Sequence, residues 1–141
     1  MKFFLKIVTV LFLVFNTAGA IYGGYNLVIY PDGSSMQLSL NLLGNTPFNN
    51  YFFPGIILLA GNGLFGLVTL ATMLFRLRIY PLFIIAQGAI LTVWILIQIL
   101  LIKTLSYFHI ILATTGLALI LLGILQQKMA ATKTLSAAKQ V

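Results

Sequence analysis

Residues 54–75 read PGIILLAGNGLFGLVTLATMLF and carry no charged side chain. A helix rises about 1.5 Å per residue, so about 20 apolar residues cross the roughly 30 Å hydrocarbon core of a bilayer. The residues that follow, RLR at 76–78, bring the next charges along the chain. The stretch therefore predicts a membrane-spanning helix that ends where the arginines begin.

Three further apolar runs of similar length occupy residues 7–29, 81–102 and 105–125. Hydrophobic residues make up 61% of the chain and charged residues only 6%, and the mean hydropathy is +1.11. Soluble domains carry about 25% charged residues, so this chain lacks the side chains needed to cover a water-facing surface. We therefore predict one all-α membrane domain over residues 1–141, an integral membrane four-helix bundle with spans at 7–29, 54–75, 81–102 and 105–125.

The first run has an alternative interpretation as a secretory signal peptide. MKFFLK resembles a basic n-region, and the small residues Ala18, Gly19 and Ala20 fit a cleavage site. However, the apolar character resumes after Ala20 and continues to Ile29. This continuation favours an uncleaved first span.

Lysine and arginine are distributed unevenly between the two ends of the predicted bundle. Of the eight Lys and Arg side chains, only Lys103 would lie on the same side as the loop at residues 30–53. Because such cations in short loops stay in the cytoplasm, we predict an N-in/C-in topology. Residues 30–53 would then form an extracytoplasmic loop, and residues 126–141 a cytoplasmic tail. The predicted cytoplasmic cations are Lys2, Lys6, Arg76, Arg78, Lys128, Lys133 and Lys139.

The single acidic residue of the chain, Asp32, lies in the loop within Tyr30-Pro31-Asp32-Gly33. Proline sets φ at the second position of a turn, Asp tolerates the third position, and Gly closes the turn. A proton relay or a cation site would need a partner carboxylate, which the sequence lacks. We therefore predict a turn former with a solvated carboxylate.

The second half of the loop predicts a short helix at the membrane interface. Thr46 suits an N-cap and Pro47 suits the first helical position, while Pro54 would bend this helix into the second span. The aromatic residues at 51–53 are typical of the belt at the lipid head groups. The sequence thus predicts an ordered loop that covers this end of the bundle.

Several function classes are excluded by the inventory of side chains. The chain has no cysteine, which removes disulfides, thiol chemistry and iron–sulfur ligation. One carboxylate cannot form an acid/base pair, and one histidine, His109, is too few for a haem held between two histidines. The cations are scattered rather than gathered into a patch, which argues against nucleic acid. We predict no enzymatic activity, no catalytic or metal-binding residue and no cofactor.

Each predicted span carries one stripe of small or polar residues at helical spacing. In a membrane such residues face neighbouring helices, because small side chains allow close packing and polar side chains avoid lipid. The predicted inward stripes are Thr9, Asn16, Ala20 and Gly23, with Gly19 and Gly23 also forming a GxxxG step; Gly55, Asn62, Gly66, Thr69 and Met73; Tyr80, Gln87, Trp94 and Gln98; and His109, Ala113, Gly116, Gly123 and Gln127.

Five polar or aromatic side chains are predicted to lie in the half of the membrane nearest the loop. We interpret them mainly as interhelical hydrogen-bonding groups, with Asn62 and Gln98 placed to pair with each other or with a ligand. The alternative is a small, uncharged binding cavity that opens towards the loop. The candidate ligand-binding residues are Asn16, Asn62, Trp94, Gln98 and His109.

The loop also carries a longer pattern, PDGS…LxLLxxTPF…PG, within residues 23–63. This pattern resembles a group of small bacterial four-span membrane proteins to which no activity is assigned. The resemblance implies a multi-pass protein of the bacterial inner (cytoplasmic) membrane and implies no activity. The matching positions are Pro31, Asp32, Gly33, Ser34, Leu40, Leu42, Leu43, Thr46, Pro47, Phe48, Pro54 and Gly55.

Together these features predict a non-enzymatic accessory or structural membrane protein. Its partners would be the lipid bilayer and either another membrane protein or a second copy, with no nucleic acid. The alternative function is a carrier or sensor of a small neutral or apolar molecule, such as a lipid or quinone, bound in the predicted cavity.

Overall fold

A computed structural model describes residues 2–103 and 105–138, with side chains for residues 3–103 and 105–132. The described chain is helical, and no strand occurs within it. The α-helices are α1 (Lys2–Ile29), α2 (Phe52–Leu58), α3 (Phe65–Leu74), α4 (Tyr80–Ile102) and α5 (Tyr107–Ala138). A π-helical turn, Leu59–Leu64, joins α2 to α3, and the three segments together form span two.

Within the described residues, four helices are long and apolar enough to cross a membrane, namely Phe3–Ile29, Phe52–Leu74, Tyr80–Ile102 and Tyr107–Thr132. The prediction of an all-α chain with four such helices is confirmed, and the protein is a multi-pass membrane protein. The main differences are at the ends, where α1 starts before residue 7 and α5 continues beyond residue 125. Of the predicted tail, residues 139–141 lie outside the described part of the chain.

The four spans form a ring. α1 packs against span two, α3 against α4, and α4 against α5, and α5 returns to α1. Consecutive spans run in opposite directions. Between α1 and span two, Gly24 approaches Leu59 and Gly66 approaches Thr17; between span two and α4, Asn62 meets Gln87 and Phe65 meets Phe83; and between α4 and α5, Gly88 approaches Gly116 and Gly123 approaches Pro81. As a consequence, α1 and α4 run in the same direction from opposite corners of the bundle.

The ring closes around an apolar layer to which each span contributes one buried side chain. Leucine, isoleucine and methionine suit this position because they fill space between helices without leaving a polar atom unpaired. We call this set the apolar layer; its members are Leu13, Met73, Ile84 and Leu119.

The α1–α2 loop, residues 30–51, folds onto the end of α1 through two short 3₁₀ turns, Ser34–Met36 and Leu40–Leu43. Tyr51 is the central side chain, 4% exposed and packed with Leu27 and Leu43. Its Oη donates to the carbonyl of Ser39 at 2.7 Å, and its N–H donates to the carbonyl of Pro31 at 2.8 Å. Burial raises the pKa of the Tyr51 hydroxyl.

The predicted interfacial helix from Pro47 is wrong, because α2 begins only at Phe52. Thr46 holds a turn instead: its Oγ1 donates to the carbonyl of Leu43 at 2.9 Å and accepts from the N–H of Phe48 at 3.2 Å. Pro54 then falls in the first turn of α2, where its missing N–H leaves no helical bond unmade. Pro54 therefore starts a helix rather than bending one.

The turn predicted at Tyr30–Gly33 is confirmed. The N–H of Gly33 donates to the carbonyl of Tyr30 at 3.0 Å, and Gly33 adopts φ 79°, which favours glycine. Asp32 Oδ1 accepts from Ser34 Oγ at 2.8 Å and from the N–H of Ser34 at 3.1 Å. These bonds, the hydroxyl bond foremost, hold the pKa of the exposed Asp32 carboxyl below its usual value.

Candidate functional site: polar side chains inside the bundle

The described interior contains a set of buried polar side chains, all of them uncharged. Several bond to a carbonyl of their own helix, which is the ordinary way for threonine to satisfy its hydroxyl in a membrane. The asparagine and glutamine side chains need partners on other helices, so they reveal how the spans meet. The set comprises Thr9, Asn16, Thr17, Asn62, Thr69, Thr72, Gln87, Thr115 and Gln126.

Each span carries a buried polar residue about one helical turn along the chain from its apolar-layer residue. Asn16 and Gln87 each follow the apolar-layer residue of their helix by three positions, and α1 and α4 run in the same direction. Thr69 and Thr115 each precede the apolar-layer residue by four positions on the spans that run the opposite way. On each helix the polar residue is thus about 5 Å along that helix from the apolar-layer residue.

Asn62 bonds to Gln87 rather than to the expected Gln98. Gln87 Nε2 donates to Asn62 Oδ1 at 3.2 Å, and the two residues are 0% and 1% exposed, respectively. The stacked rings of Phe65 and Phe83, with centroids 5.6 Å apart, lie at the same contact between span two and α4. This register leaves Gln98 eleven residues, or about 16 Å, further along α4. The expected Asn62–Gln98 pair is therefore absent, and Asn62 has a different partner.

Asn62 sits in the π-helical turn Leu59–Leu64, between Gly61 and Gly63. Both glycines lie close to neighbouring helices: an added Cβ would be 3.4 Å from Ile90 at Gly61 and 3.0 Å from Ile21 at Gly63. A π turn carries one residue more than an α turn and often occurs at functional sites. The turn was not predicted, and the Gly-Asn-Gly sequence was its only local signal.

A second interhelical bond closes the ring between α5 and α1. Gln126 Nε2 donates to Thr9 Oγ1 at 2.8 Å, and Thr9 Oγ1 donates to the carbonyl of Leu5 at 2.7 Å. The helical spacing predicts an inward Gln127, which is wrong: Gln127 is exposed and Gln126 is buried. Gln126 and Gln127 follow Gly123 by three and four positions, and both spacings fit one face of a helix. The hydroxyl of Thr9 on α1 therefore decides which of the two glutamines turns inward.

Trp94 and Gln98 are only partly buried on α4. The buried face of this helix is instead formed by Pro81, Ile84, Gln87, Gly88, Leu91 and Ile95. The cause is the close approach of α4 to α5, where an added Cβ on Gly88 would lie 2.5 Å from the carbonyl oxygen of Gly116. This contact turns the glycine side of α4 inward and leaves Trp94 at the edge of the buried face.

His109 is partly buried, and its ring accepts a hydrogen bond from a backbone N–H at the start of α5. Its Nδ1 accepts from the N–H of Ser106 at 3.1 Å and lies 2.9 Å from Ser106 Oγ. Since a backbone N–H can only donate, Nδ1 is the acceptor in this arrangement, which resembles a capping box. Of the five candidate residues, Asn16 and Asn62 are buried in the interior, whereas Trp94, Gln98 and His109 lie at its margins.

A groove of about 360 Å³ runs between α1 and α5. The hydroxyl of Thr115 donates to the carbonyl of Ile111 at 2.8 Å, so the polar atom in the wall is already bonded. The groove is therefore apolar, and none of the five candidate residues contributes to it. Its lining residues are Val8, Leu11, Phe12, Phe15, Ile111 and Thr115.

No protein family, curated protein or solved structure matches this sequence. The resemblance to small bacterial four-span proteins thus stays a prediction.

Proposed function

We propose that this protein is a non-enzymatic accessory or structural protein of the bacterial inner membrane, which associates with another membrane protein or with a second copy of itself. The α1–α2 loop is the observation that carries this proposal. Antiparallel neighbouring helices are usually joined by about 2–8 residues, whereas this connection occupies residues 30–51. Tyr51 bonds to Ser39 within the loop and packs on Leu27 of α1, so the additional residues of the connection form an ordered structure.

The surface of the loop has the mixed character of a protein interface. Met36 is 36% exposed, Leu40 46% and Phe53, just beyond the loop, 61%. Asn41 and Asn49 are exposed in the same segment. Interface cores are enriched in methionine and aromatic residues, and polar side chains usually surround them. This combination supports docking of a partner rather than contact with lipid alone.

The chemistry of the interior supports a non-enzymatic role. The buried polar groups among the described residues are neutral hydroxyls and amides. The single carboxylate, Asp32, is held in a turn by Ser34, and His109 is held by Ser106 at the start of α5. General acid–base and nucleophilic catalysis need titratable or activated groups that converge on one place.

We further propose that both termini face the cytoplasm and that the α1–α2 loop faces outward. The Thr9–Gln126 bond puts Lys6 and Lys128 at the same end of the bundle, and Arg76 and Arg78 lie in the α3–α4 connection at that end. Cations of short loops concentrate on the cytoplasmic side. The charge distribution therefore supports an N-in/C-in orientation.

The orientation is tested by labelling introduced cysteines, which have no background because the chain contains none. Cysteine at Ser35 or Asn49 should react with an impermeant maleimide on intact cells. Cysteine at Leu77, in the α3–α4 connection, should react only after the membrane is opened. Labelling of Leu77→Cys from outside would reverse the proposed orientation.

Association is tested by placing a photo-crosslinking amino acid at Leu40 in the loop. Under the proposal, irradiation of membranes gives a discrete protein product, with the mass either of a dimer or of a complex with another protein. The matched control is Leu67, which is 47% exposed on α3 and would meet only lipid tails. A product at Leu67 but not at Leu40 would contradict docking through the loop.

The α1–α5 groove favours a second candidate, a carrier or sensor of a lipid, quinone or other apolar molecule. The groove volume of about 360 Å³ lies within the range of small-molecule sites, about 300–1,000 Å³. Solvent extraction of protein purified in mild detergent, followed by mass spectrometry, should then reveal one enriched apolar molecule. Leu11→Trp should deplete it, whereas Val93→Trp, on an exposed position of α4, should not. Equal lipid profiles in all three proteins would remove this candidate.

A further inference from the structure

The end of the bundle away from the α1–α2 loop carries positive charge that no acidic side chain balances. The only acidic side chain of the protein, Asp32, belongs to the loop, which packs on Leu27 of α1. Lys6 and Leu27 are about 20 residues apart on one helix, or about 30 Å. Because salt screens exposed charges beyond about 8 Å, Asp32 does not neutralise this end. The cations with described side chains here are Lys6, Arg76, Arg78 and Lys128.

The fold brings Lys6 of α1 to the connection that carries the two arginines. Lys6 is partly buried, and its ammonium lies 5.5 Å from the centre of the Tyr80 ring. A cation at about this distance from an aromatic face is attracted to it. Arg78 precedes Tyr80 by only two positions, at the start of α4. Cations that are far apart in the sequence thus meet where α1 passes the start of α4.

The α3–α4 connection is held by hydrogen bonds at both ends. At the end of α3 the N–H of Leu77 donates to the carbonyl of Thr72 at 3.0 Å. At the start of α4 the N–H of Tyr80 donates to the carbonyl of Leu77 at 3.1 Å. The two arginines lie within these turns, so their backbone is already ordered before a ligand binds. Only their side chains then lose freedom on binding, which lowers its entropic cost.

Apolar side chains alternate with the arginines along the connection. Phe75 is 76% exposed, Leu77 45% and Ile79 48%, and both arginines are exposed as well. At a membrane interface, apolar side chains enter the lipid while long cationic side chains reach the head groups. The arginines of this connection are therefore at the level of the lipid phosphates.

We infer that Lys6, Arg76 and Arg78 bind the head group of an anionic phospholipid. The planar guanidinium groups of the arginines donate to the phosphate oxygens, and the ammonium of Lys6, beside Tyr80, adds a third positive charge. Basic sites between transmembrane helices bind anionic head groups in this way. A zwitterionic lipid is disfavoured because its own ammonium group leaves the three cations without a net counter-charge.

The site is tested by native mass spectrometry of the purified protein in mild detergent, with equal amounts of phosphatidylglycerol and phosphatidylethanolamine. The wild type should retain phosphatidylglycerol in preference. Each cation is expected to contribute about fivefold in affinity, so Arg76→Gln with Arg78→Gln should weaken phosphatidylglycerol binding about 25-fold. Lys103→Gln is the matched control, because Lys103 is exposed and shares the φ of 54° of Arg76 but lies at the other end of α4. This control should leave the preference unchanged.

Lys6→Gln, on a different helix, provides a second variant if the double arginine variant does not fold, and it should weaken binding about fivefold. Excess inorganic phosphate should not displace the lipid, because it lacks the acyl chains that anchor the head group. The inference is overturned if the wild type retains both lipids equally, if the folded variants keep the full preference, or if Lys103→Gln lowers it as much. Displacement by inorganic phosphate would overturn it in favour of a soluble anion. The purified protein is used, so the result is independent of the proposed orientation and of docking through the loop.

Discussion

The helix α5 makes two contrasting contacts, one with α4 and one with α1. At the α4–α5 seam, defined by Gly88, Gly116 and Gly123, the backbones lie so close that an added Cβ on Gly123 would be 3.0 Å from the carbonyl of Pro81. At the α1–α5 seam, large side chains such as Phe12 and Phe15 border an open groove. There the Thr9–Gln126 bond joins the two helices on the side away from the α1–α2 loop.

This difference shows what brings helices together in a lipid environment. Lipid tails are as apolar as leucine, so burying a leucine between helices gains little. Close backbone approach, which glycine permits, gains dispersion contacts along a whole helix. We therefore expect the α4–α5 seam to provide most of the stability of the bundle, and the α1–α5 seam to tolerate change.

The largest effect is expected for Gly116→Leu at the α4–α5 seam. An added Cβ there would contact Thr92 Oγ1 and lie 3.0 Å from the carbonyl oxygen of Gly88. Because a backbone atom cannot move aside without shifting α4, the variant should lose about 3 kcal/mol of stability. Thermal unfolding in mild detergent measures this loss. Gly19→Leu is the control, since nothing lies within 4 Å of its added Cβ; equal unfolding temperatures for both variants would contradict the comparison.

A smaller loss is expected for Gly66→Leu, where α1 meets span two. The added Cβ would contact the side chain of Thr17 rather than a backbone atom. Since Thr17 Oγ1, the nearest of these atoms, can move by a change of rotamer, the expected cost is about 1–2 kcal/mol, measured by the same thermal unfolding. If Gly66→Leu proved more damaging than Gly116→Leu, the α1–span two contact would be the principal one.

At the α1–α5 seam, Gln126→Leu should cost about 1 kcal/mol through loss of its bond to Thr9. A double-mutant cycle with Thr9→Val isolates the pair, and a coupling energy of about 0.6 kcal/mol is expected. Gln127→Leu, at the neighbouring exposed position, should leave stability unchanged. A coupling near zero would show that this bond does not hold the seam.

The smallest effect is expected for Leu11→Trp, which adds volume in the groove. If the groove is open, the larger side chain fits and stability changes by less than about 0.5 kcal/mol. Leu13→Trp provides the contrast, because Leu13 is 0% exposed and belongs to the apolar layer. A loss in Leu11→Trp as large as that in Leu13→Trp would mean that the α1–α5 seam is closely packed, which would end the contrast between the two seams.

The features that follow from neighbouring residues were predictable. Runs of apolar residues locate the four spans, because crossing hydrocarbon requires length and low polarity whatever the helix touches. The turn at Tyr30–Gly33 likewise depends on the φ preferences of its own residues. The helix expected at Pro47 failed because Thr46 bonds to the carbonyl of Leu43 and the N–H of Phe48 and so closes a turn.

Predictions of the inward faces succeeded on two spans and failed in part on the other two. The residues predicted to face inward on span two are buried, as are Thr9, Asn16, Ala20 and Gly23 on α1, although Gly19 is exposed. On α4 and α5, Gly88 and Gln126 lie outside the predicted stripes, yet both are buried. The predicted Trp94, Gln98 and Gln127 lie at the edge of the buried face or outside it.

The sequence by itself determined which segments cross the membrane and which residues share a face of each helix. These depend on hydropathy and on a period of about 3.6 residues per turn, both of which are properties of one helix alone. Only the tertiary structure decided which of several possible faces turns inward and which amide meets which. Gln87 rather than Gln98 bonds to Asn62, and Gln126 rather than Gln127 bonds to Thr9. Such pairs depend on the register between two helices, which is set where glycines let the backbones approach, and no single helix contains that information.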